Sequence, residues 1–116
     1  MITAIKDSLQ GKTPSLTHKR SSQWPKIRKN FLLKNSKCAV CNGTKKLEVH
    51  HIKPFHQAPE LELDENNLIT LCEDWSYGLN CHLLVGHLGN YRNINPSVQT
   101  DAKTWQAKLH PTSFSQ

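Results

Sequence analysis

Residues 47–55 read LEVHHIKPF, with two adjacent histidines near the middle of a short segment. Apolar and polar residues interchange from Leu47 onwards, which predicts a short β-strand, and Pro54 limits its extent. Neighbouring side chains of a strand point in different directions, so His50 and His51 are expected to face different surroundings. Two adjacent imidazoles of this kind suit two separate tasks.

A second strand is predicted at residues 67–72, which read NLITLC. It is expected to pair antiparallel with residues 47–52 around the acidic loop 55–66, FHQAPELELDEN. Helices are predicted on both sides of this hairpin in the sequence, so the expected fold class is α+β.

The first predicted helix extends from Gln23 to Lys34, with Ser22 as its N-cap and Pro25 in its first turn. Apolar residues recur at helical spacing along it. The interpretation that needs no binding role is an amphipathic helix with a solvated basic face. The residues of its predicted apolar face are Trp24, Ile27, Phe31 and Leu32.

Two further helices are predicted after the hairpin. Asn80 is expected to cap a helix through CHLLVGHL, broken near Gly86 or Gly89. A last helix is expected over residues 101–109. The side chains that this last helix is predicted to bury are Trp105 and Leu109.

The composition favours an additional support for the core and an anionic partner. Of the 116 residues, 36% are hydrophobic and 7% aromatic, a small supply for one self-supporting domain. The formal net charge of +6 and a pI near 9.3 favour nucleic acid as the partner. An anionic membrane surface is the weaker alternative, because no strongly amphipathic basic helix is evident. No secretory signal or membrane-spanning run is recognisable, which predicts a reducing, cytoplasmic location.

The four cysteines are Cys38, Cys41, Cys72 and Cys81. In a reducing compartment, closely paired cysteines indicate metal binding before disulfides. The C-x-x-C at 38–41 has the ligand spacing of tetrahedral zinc sites, and the second pair would complete a closed structural Zn²⁺ site. Eight residues separate the cysteines of the second pair, which is looser than usual. Buried free thiols or disulfides are the alternative.

Four of the seven histidines lie in the region that such a zinc ion would organise. If Cys81 joins the zinc, His82 lies within reach of the paired histidines, as a second metal site requires. One of the pair then turns towards the ion, and the other is free to accept a proton from water near neutral pH. An ion with few protein ligands keeps open positions for a phosphate oxygen. These groups together suit hydrolysis of a phosphodiester.

The ordered set Cys38-x-x-Cys41, LEVHHIKPF, ELDENNLITLC and CHLLVGH resembles the HNH endonucleases and their ββα-metal fold. The resemblance covers about residues 37–90 and includes the histidine, asparagine and histidine that name the family. It implies a small ββα-metal core with a structural four-cysteine zinc site, flanked by N- and C-terminal helices.

The resemblance also implies roles for individual residues. His51 becomes the general base that activates water, and His50 and His82 become ligands of a catalytic ion. Asn67 fixes the loop that holds the base, and Glu48 supports the site from outside the ligand set.

His87 is expected as a further ligand of that ion, although its spacing from His82 is five residues rather than four. On a regular helix five residues rotate the second side chain by roughly 140° from the first. Gly86 is expected to end or bulge the helix and restore the approach. The alternative is that His87 packs against Tyr91 or hydrogen-bonds to a backbone carbonyl.

The expected organisation is a helical turn and basic arm over residues 1–22, one nuclease domain over 23–110 and a tail over 111–116. The resemblance points to a bacterial or phage-infected cell, with a phage or restriction protein as a candidate partner. We predict no membrane partner.

The expected function is metal-dependent hydrolysis of DNA, in duplex form, with one catalytic Mg²⁺, Mn²⁺, Ni²⁺ or Zn²⁺ ion and little intrinsic sequence specificity. A non-catalytic, zinc-stapled nucleic-acid-binding module and a small protein–protein adaptor are the alternatives. Basic side chains of segment 19–34 and beyond are expected to hold the DNA backbone. The residues singled out for this contact are Lys26, Arg28, Lys29, Lys45, Lys46, Lys53 and Arg92.

Overall fold

A hairpin of two short strands lies at the centre of the structure, a computed structural model that describes residues 19–75 and 79–111. The expected N-terminal helical turn, most of the arm and the tail from residue 112 lie outside these residues. The elements in chain order are α1 (Trp24–Lys34), β1 (Leu47–His51), β2 (Leu68–Cys72), a π-helix (His82–Gly86) and α2 (Val98–Leu109). Two 3₁₀ turns, Pro59–Leu61 and Glu65–Asn67, lie in the loop between the strands. In the part described, no helix is long and apolar enough to cross a membrane.

The two strands pair antiparallel, as predicted. Leu47 lies opposite Cys72, and His51 lies opposite Leu68. The predicted α+β fold is confirmed, with a hairpin, a short helix and clustered cysteines as in a ββα-metal core. The helix after the hairpin is a π-helix of five residues rather than a longer α-helix.

The start of α1 differs from the prediction in one detail. Pro25 lies in the first turn, as expected, but the N-cap position is Gln23 and not Ser22. Ser21 makes the bonds that precede the helix: its Oγ accepts from the N–H of Gln23 at 3.0 Å and its carbonyl from that of Trp24 at 3.1 Å. The serine one position earlier therefore satisfies the backbone donors at this end.

The predicted apolar face of α1 is confirmed. Phe31 is buried and packs with Val49 of β1 and Leu68 of β2. The partly buried residues around this cluster are Trp24, Ile27 and Leu32. One face of the hairpin is therefore covered by α1.

The larger core cluster contains three cysteines as well as aliphatic side chains. Its buried members are Cys38, Val40, Ile69, Leu71, Cys72, Cys81, Val85, Val98 and Ala102. The π-helix and α2 both contribute to it. Because the cysteines are part of the core, a metal ion bound to them would supply the support that the composition requires.

Helix α2 begins three residues before the predicted start, and its buried face differs from the prediction. Val98 and Ala102 are buried, whereas Trp105 and Leu109 are 46% and 40% exposed. The prediction that the last two side chains are buried is wrong. The amide of Asn95 donates to a carbonyl of the π-helix at 2.8 Å and fixes the start of α2 there. Only the first turns of α2 therefore reach the core.

Candidate active site

Four thiol groups converge behind the hairpin from three different segments. Cys38 and Cys41 lie in the turn before β1, Cys72 ends β2, and Cys81 precedes the π-helix. Their sulfur atoms all lie within 4.8 Å of one another, and all four are free thiols. Four thiolate donors this close together fit a structural zinc ion.

Local bonds shape both halves of this cysteine cluster. In the first turn, the N–H of Cys38 donates to the carbonyl of Gly43 at 2.8 Å, and Asn42 adopts a left-handed φ of 63° that asparagine tolerates. The Cys72 thiol donates to the carbonyl of Leu79 at 3.1 Å. Leu79, two residues before Cys81, thus lies against Cys72, and the two cysteines share one cluster despite their eight intervening residues.

The thiols differ in how readily they lose a proton. A hydrogen bond with the thiol of Cys81 lowers the pKa of Cys38 to about 5. Burial raises the pKa of Cys41 to about 11, and the hydrogen bond with Cys38 raises the pKa of Cys81. A cation bound by all four sulfur atoms therefore has to displace the protons that the thiols still carry. Metal binding here releases protons and weakens in acid.

Three imidazoles converge in a second cluster, to which the π-helix contributes His82. His50 of β1, His82 and His87 each offer a ring nitrogen, and these atoms lie within 4.8 Å of one another. The Nε2 of His82 is 3.1 Å from the Nδ1 of His50. The ring of His87 lies 4.9 Å from both other rings, measured between centroids. The structure thus brings the three predicted ligands of the catalytic ion together.

The π-helix explains why a spacing of five residues works. Its hydrogen bonds join residues five apart, a longer repeat than that of an α-helix, so His82 and His87 approach each other. Gly86, the last residue of this helix, lies close to the rings. A Cβ atom on Gly86 would lie 3.3 Å from the Cδ2 of His82 and 3.4 Å from the Cε1 of His50. The glycine therefore makes room for two of the three imidazoles.

Hydrogen bonds from the outer ring nitrogens orient two of these histidines. The Nδ1 of His82 lies 2.7 Å from the carboxylate of Glu73, and the Nδ1–H of His87 donates to the carbonyl of Asn93 at 2.9 Å. In both rings the proton then lies on Nδ1, which leaves the lone pair on Nε2 for a metal ion. His87 also packs against Tyr91, at 5.1 Å between ring centroids. The contacts proposed as alternatives for His87 therefore coexist with its place in the cluster.

Burial keeps two of the imidazoles neutral. Burial first, and the charges of the neighbouring histidines second, lower the pKa of His50 to about 3. Burial also lowers the pKa of His87. Neutral imidazole is the form that binds metal ions, so both rings can act as ligands near pH 7.

His51 faces the opposite way from His50, as the strand geometry predicts. Its ring packs against Trp24, at 4.5 Å between centroids, and its Nε2 lies 2.9 Å from the carbonyl oxygen of Glu62. A carbonyl only accepts, so Nε2 carries the proton and Nδ1 holds the lone pair. Burial lowers the pKa of His51, and the charge of Arg20 acts in the same direction. The ring is therefore neutral and able to accept a proton.

Asn67 ties together the two ends of the loop between the strands. Its Oδ1 accepts from the N–H of Lys53 at 2.8 Å, and its Nδ2 donates to the carbonyl of the same residue at 3.1 Å. A longer contact of 3.4 Å joins Nδ2 to the carbonyl of Leu61. That carbonyl is next in sequence to Glu62, the partner of His51. Asn67 thus restrains the loop segment that holds this histidine.

The four histidines line one cavity of about 210 Å³, together with Arg20 and Asn95. A larger cavity of about 400 Å³ lies beside the cysteines and is lined by Leu79 and Leu109 among others. The smaller one is the better candidate for chemistry, because ligand nitrogens and a neutral imidazole face the same space.

Comparison with family models matches residues 38–87 to the HNH endonuclease family. This segment is an HNH domain. It begins at the first cysteine of the cluster and ends at the third histidine, so it contains all the groups described above except Arg20, Trp24 and the residues after His87. Comparison of the chain with curated proteins and with solved structures found no match. An HNH domain indicates a nuclease or nucleic-acid-binding role.

The carboxylate that contacts a histidine of the HNH domain is not the one predicted. Glu48 forms an ion pair with Arg28, at 3.1 Å, on the side of α1. Glu73 instead contacts His82. The sequence offered one signal for this role, since Glu73 follows directly after the cysteine that ends β2.

The basic residues expected to hold DNA lie mainly on the surface. Arg28 is half-buried, and its pairing with Glu48 neutralises part of its charge. The remaining six are exposed: Lys26, Lys29, Lys45, Lys46, Lys53 and Arg92. Arg20, which was not singled out from the sequence, reaches the histidine cavity.

Proposed function

We propose that this protein is an endonuclease that hydrolyses DNA phosphodiester bonds with one divalent ion and with His51 as the general base. The observation that carries the proposal is that two adjacent histidines of β1 have different neighbours. His50 joins His82 and His87 within 4.8 Å, while His51 presents a neutral ring to the same cavity from the other side. Cleavage by water needs both a cation and a base on one phosphate.

His50, His82 and His87 would hold the catalytic ion. When bound, the ion supplies positive charge for a phosphate oxygen and for the departing 3′ oxygen. The carboxylate of Glu73 orients one of these ligands and adds a negative charge near the three imidazole rings. Imidazole donors favour Ni²⁺ or Zn²⁺ over Mg²⁺, so all of these ions, and Mn²⁺, belong in the assay.

His51 would take the proton of the attacking water on Nδ1. The carbonyl of Glu62 holds the Nε2–H and stabilises the protonated ring that forms. In the part of the chain that the structure describes, no hydrogen-bonding group occupies Nδ1 of His51. Attack on the phosphorus with departure of the 3′ oxygen leaves a 5′ phosphate on the product.

The cysteine cluster would hold a structural Zn²⁺ ion and keep the hairpin and the π-helix together. DNA, in duplex form, would lie along the exposed lysines. Contacts to the phosphate backbone would then dominate, and intrinsic sequence specificity would be low.

A plasmid-nicking assay tests the proposal. Supercoiled DNA is incubated with the wild type and Mg²⁺, Mn²⁺, Ni²⁺ or Zn²⁺, with EDTA as the negative control, and the product ends are mapped. We expect His51→Ala to lower the cleavage rate by about 10²–10⁴-fold, the usual contribution of a general base. His56→Ala, which changes an exposed histidine of the same loop region, is the matched control and keeps the rate.

Zinc content and thermal unfolding of both variants are measured in parallel. His51→Ala that retains its zinc and its fold and yet cleaves at the wild-type rate would exclude His51 as the base. If the wild type binds DNA with strong salt dependence but cleaves with none of the ions, the non-catalytic binding module is the correct function.

A further inference from the structure

Glu62 is a buried acid whose backbone and side chain hold two different parts of the histidine cavity. It is only 4% exposed. Its carbonyl accepts from His51, as described above, while its Oε1 accepts from the backbone N–H of Ser21 at 3.0 Å. The segment before α1 is thus fixed to the same residue that fixes His51.

The second carboxylate oxygen of Glu62 faces Arg20. Among the described residues this Oε2 atom has no hydrogen-bond partner, and a guanidinium nitrogen of Arg20 lies 3.5 Å away. A buried carboxylate is costly unless a positive charge is nearby, so the ion pair keeps Arg20 at this position. The distance exceeds that of a close charge-assisted hydrogen bond, so the donors of Arg20 are not used up by Glu62.

The guanidinium of Arg20 lies over the ring of Phe55, at 4.3 Å from its centroid, and lines the cavity of the four histidines. Its side chain remains 54% exposed. A planar guanidinium that lines the cavity, with donors that have no close hydrogen-bond partner among the described residues, matches the oxygens of a phosphate.

We propose that Arg20 binds a phosphate of the DNA backbone at the mouth of the histidine cavity and that Glu62 is the residue that positions it. The inference rests on the proposed function for its ligand, a DNA phosphodiester. Because Glu62 also holds His51, a single loop residue sets the distance between the phosphate ligand and the base.

Binding of a fluorescent DNA duplex of random sequence in EDTA, followed by anisotropy over a series of salt concentrations, tests the phosphate contact without cleavage. We expect Arg20→Ala to weaken binding by about tenfold and to reduce the slope of log K against log salt by about 1. Lys19→Ala removes the same charge from the adjacent exposed residue and is the matched control, with a change below about threefold. Arg20→Lys, which keeps the charge but loses the planar fork, is expected to lie between the wild type and Arg20→Ala.

A double-mutant cycle tests the positioning role. Glu62→Gln keeps an oxygen for the N–H of Ser21 but loses the charge that holds Arg20. We expect it to weaken duplex binding by about threefold in the wild type and to have no further effect in the Arg20→Ala background. A merely structural effect of Glu62 would instead weaken binding equally in both backgrounds.

Two outcomes would overturn the inference. If Arg20→Ala binds the duplex as tightly as Lys19→Ala, Arg20 does not contact a phosphate. If Glu62→Gln strengthens binding, or if its effect adds fully to that of Arg20→Ala, Glu62 does not position Arg20. Neither depends on cleavage. If the wild type does not cleave and Arg20→Ala still loses binding selectively, the proposed function fails and this inference stands.

Discussion

Asn67→Ala is the change whose effect on stability follows most directly from the structure. Asn67 is 6% exposed and makes two good hydrogen bonds and one longer one, all to backbone groups of the loop between the strands. Alanine leaves the N–H of Lys53 and two carbonyls without these partners. At roughly 1 kcal/mol for each bond, we expect the free energy of unfolding to fall by about 2–3 kcal/mol.

Urea denaturation of the zinc-loaded protein measures this loss. With a slope typical of small domains, the midpoint should move down by about 1–2 M while the slope itself stays unchanged. The matched control is Asn66→Ala, because this neighbouring asparagine is exposed, so its effect should stay within about 0.5 kcal/mol. Equal midpoints for Asn66→Ala and Asn67→Ala would refute the assignment of the loop restraint to Asn67.

Three further predictions concern the histidine cluster. Glu73→Gln keeps the shape of the side chain but removes the charge that orients His82, so Ni²⁺ affinity measured by calorimetry should weaken by about 10–100-fold; an unchanged affinity would contradict this role. Gly86→Ala places a Cβ 3.0 Å from Leu71 and close to two rings. We expect this overpacking to lower the free energy of unfolding by about 1–3 kcal/mol in thermal unfolding and to weaken Ni²⁺ binding in a titration. A variant as stable as the wild type and with the same Ni²⁺ affinity would show that the ring contacts relax freely. Because the pKa of His50 is about 3 in the folded protein and 6.5 in the unfolded chain, the unfolded chain takes up the extra proton between these values, and the metal-free protein should lose stability as pH falls from 6.5. His50→Asn should flatten this dependence, and superimposable pH–stability curves would argue against it.

Much of the fold follows from local sequence patterns. The apolar spacing around Phe31 predicts the packed face of α1, and the two short apolar segments predict the antiparallel hairpin. The pattern failed at α2, where Trp105 is the largest apolar residue but lies beyond the part of the helix that reaches the core. Helical spacing identifies a face, but it does not say how far along the helix the partner extends.

The histidine cluster, too, was predicted from the sequence only in part. Motif order singled out His50, His82 and His87, and the structure brings them together. Motif order did not reveal the carboxylate that supports these histidines, because Glu48 and Glu73 are both plausible from spacing alone. The choice depends on where the loop after β2 places its first residue.

The strand pairing, the alternation that separates His50 from His51, and the identity of the clustered cysteines and histidines could all be predicted from the sequence. These features depend on neighbours in the chain and on residue type. Three other features became visible only in the folded chain: the π-helical geometry around Gly86, the pairing of Glu73 with His82, and the place of Arg20 at the cavity. The last of these rests on bonds such as that between Ser21 and Glu62, which are 41 residues apart, and no local pattern encodes which distant groups will meet.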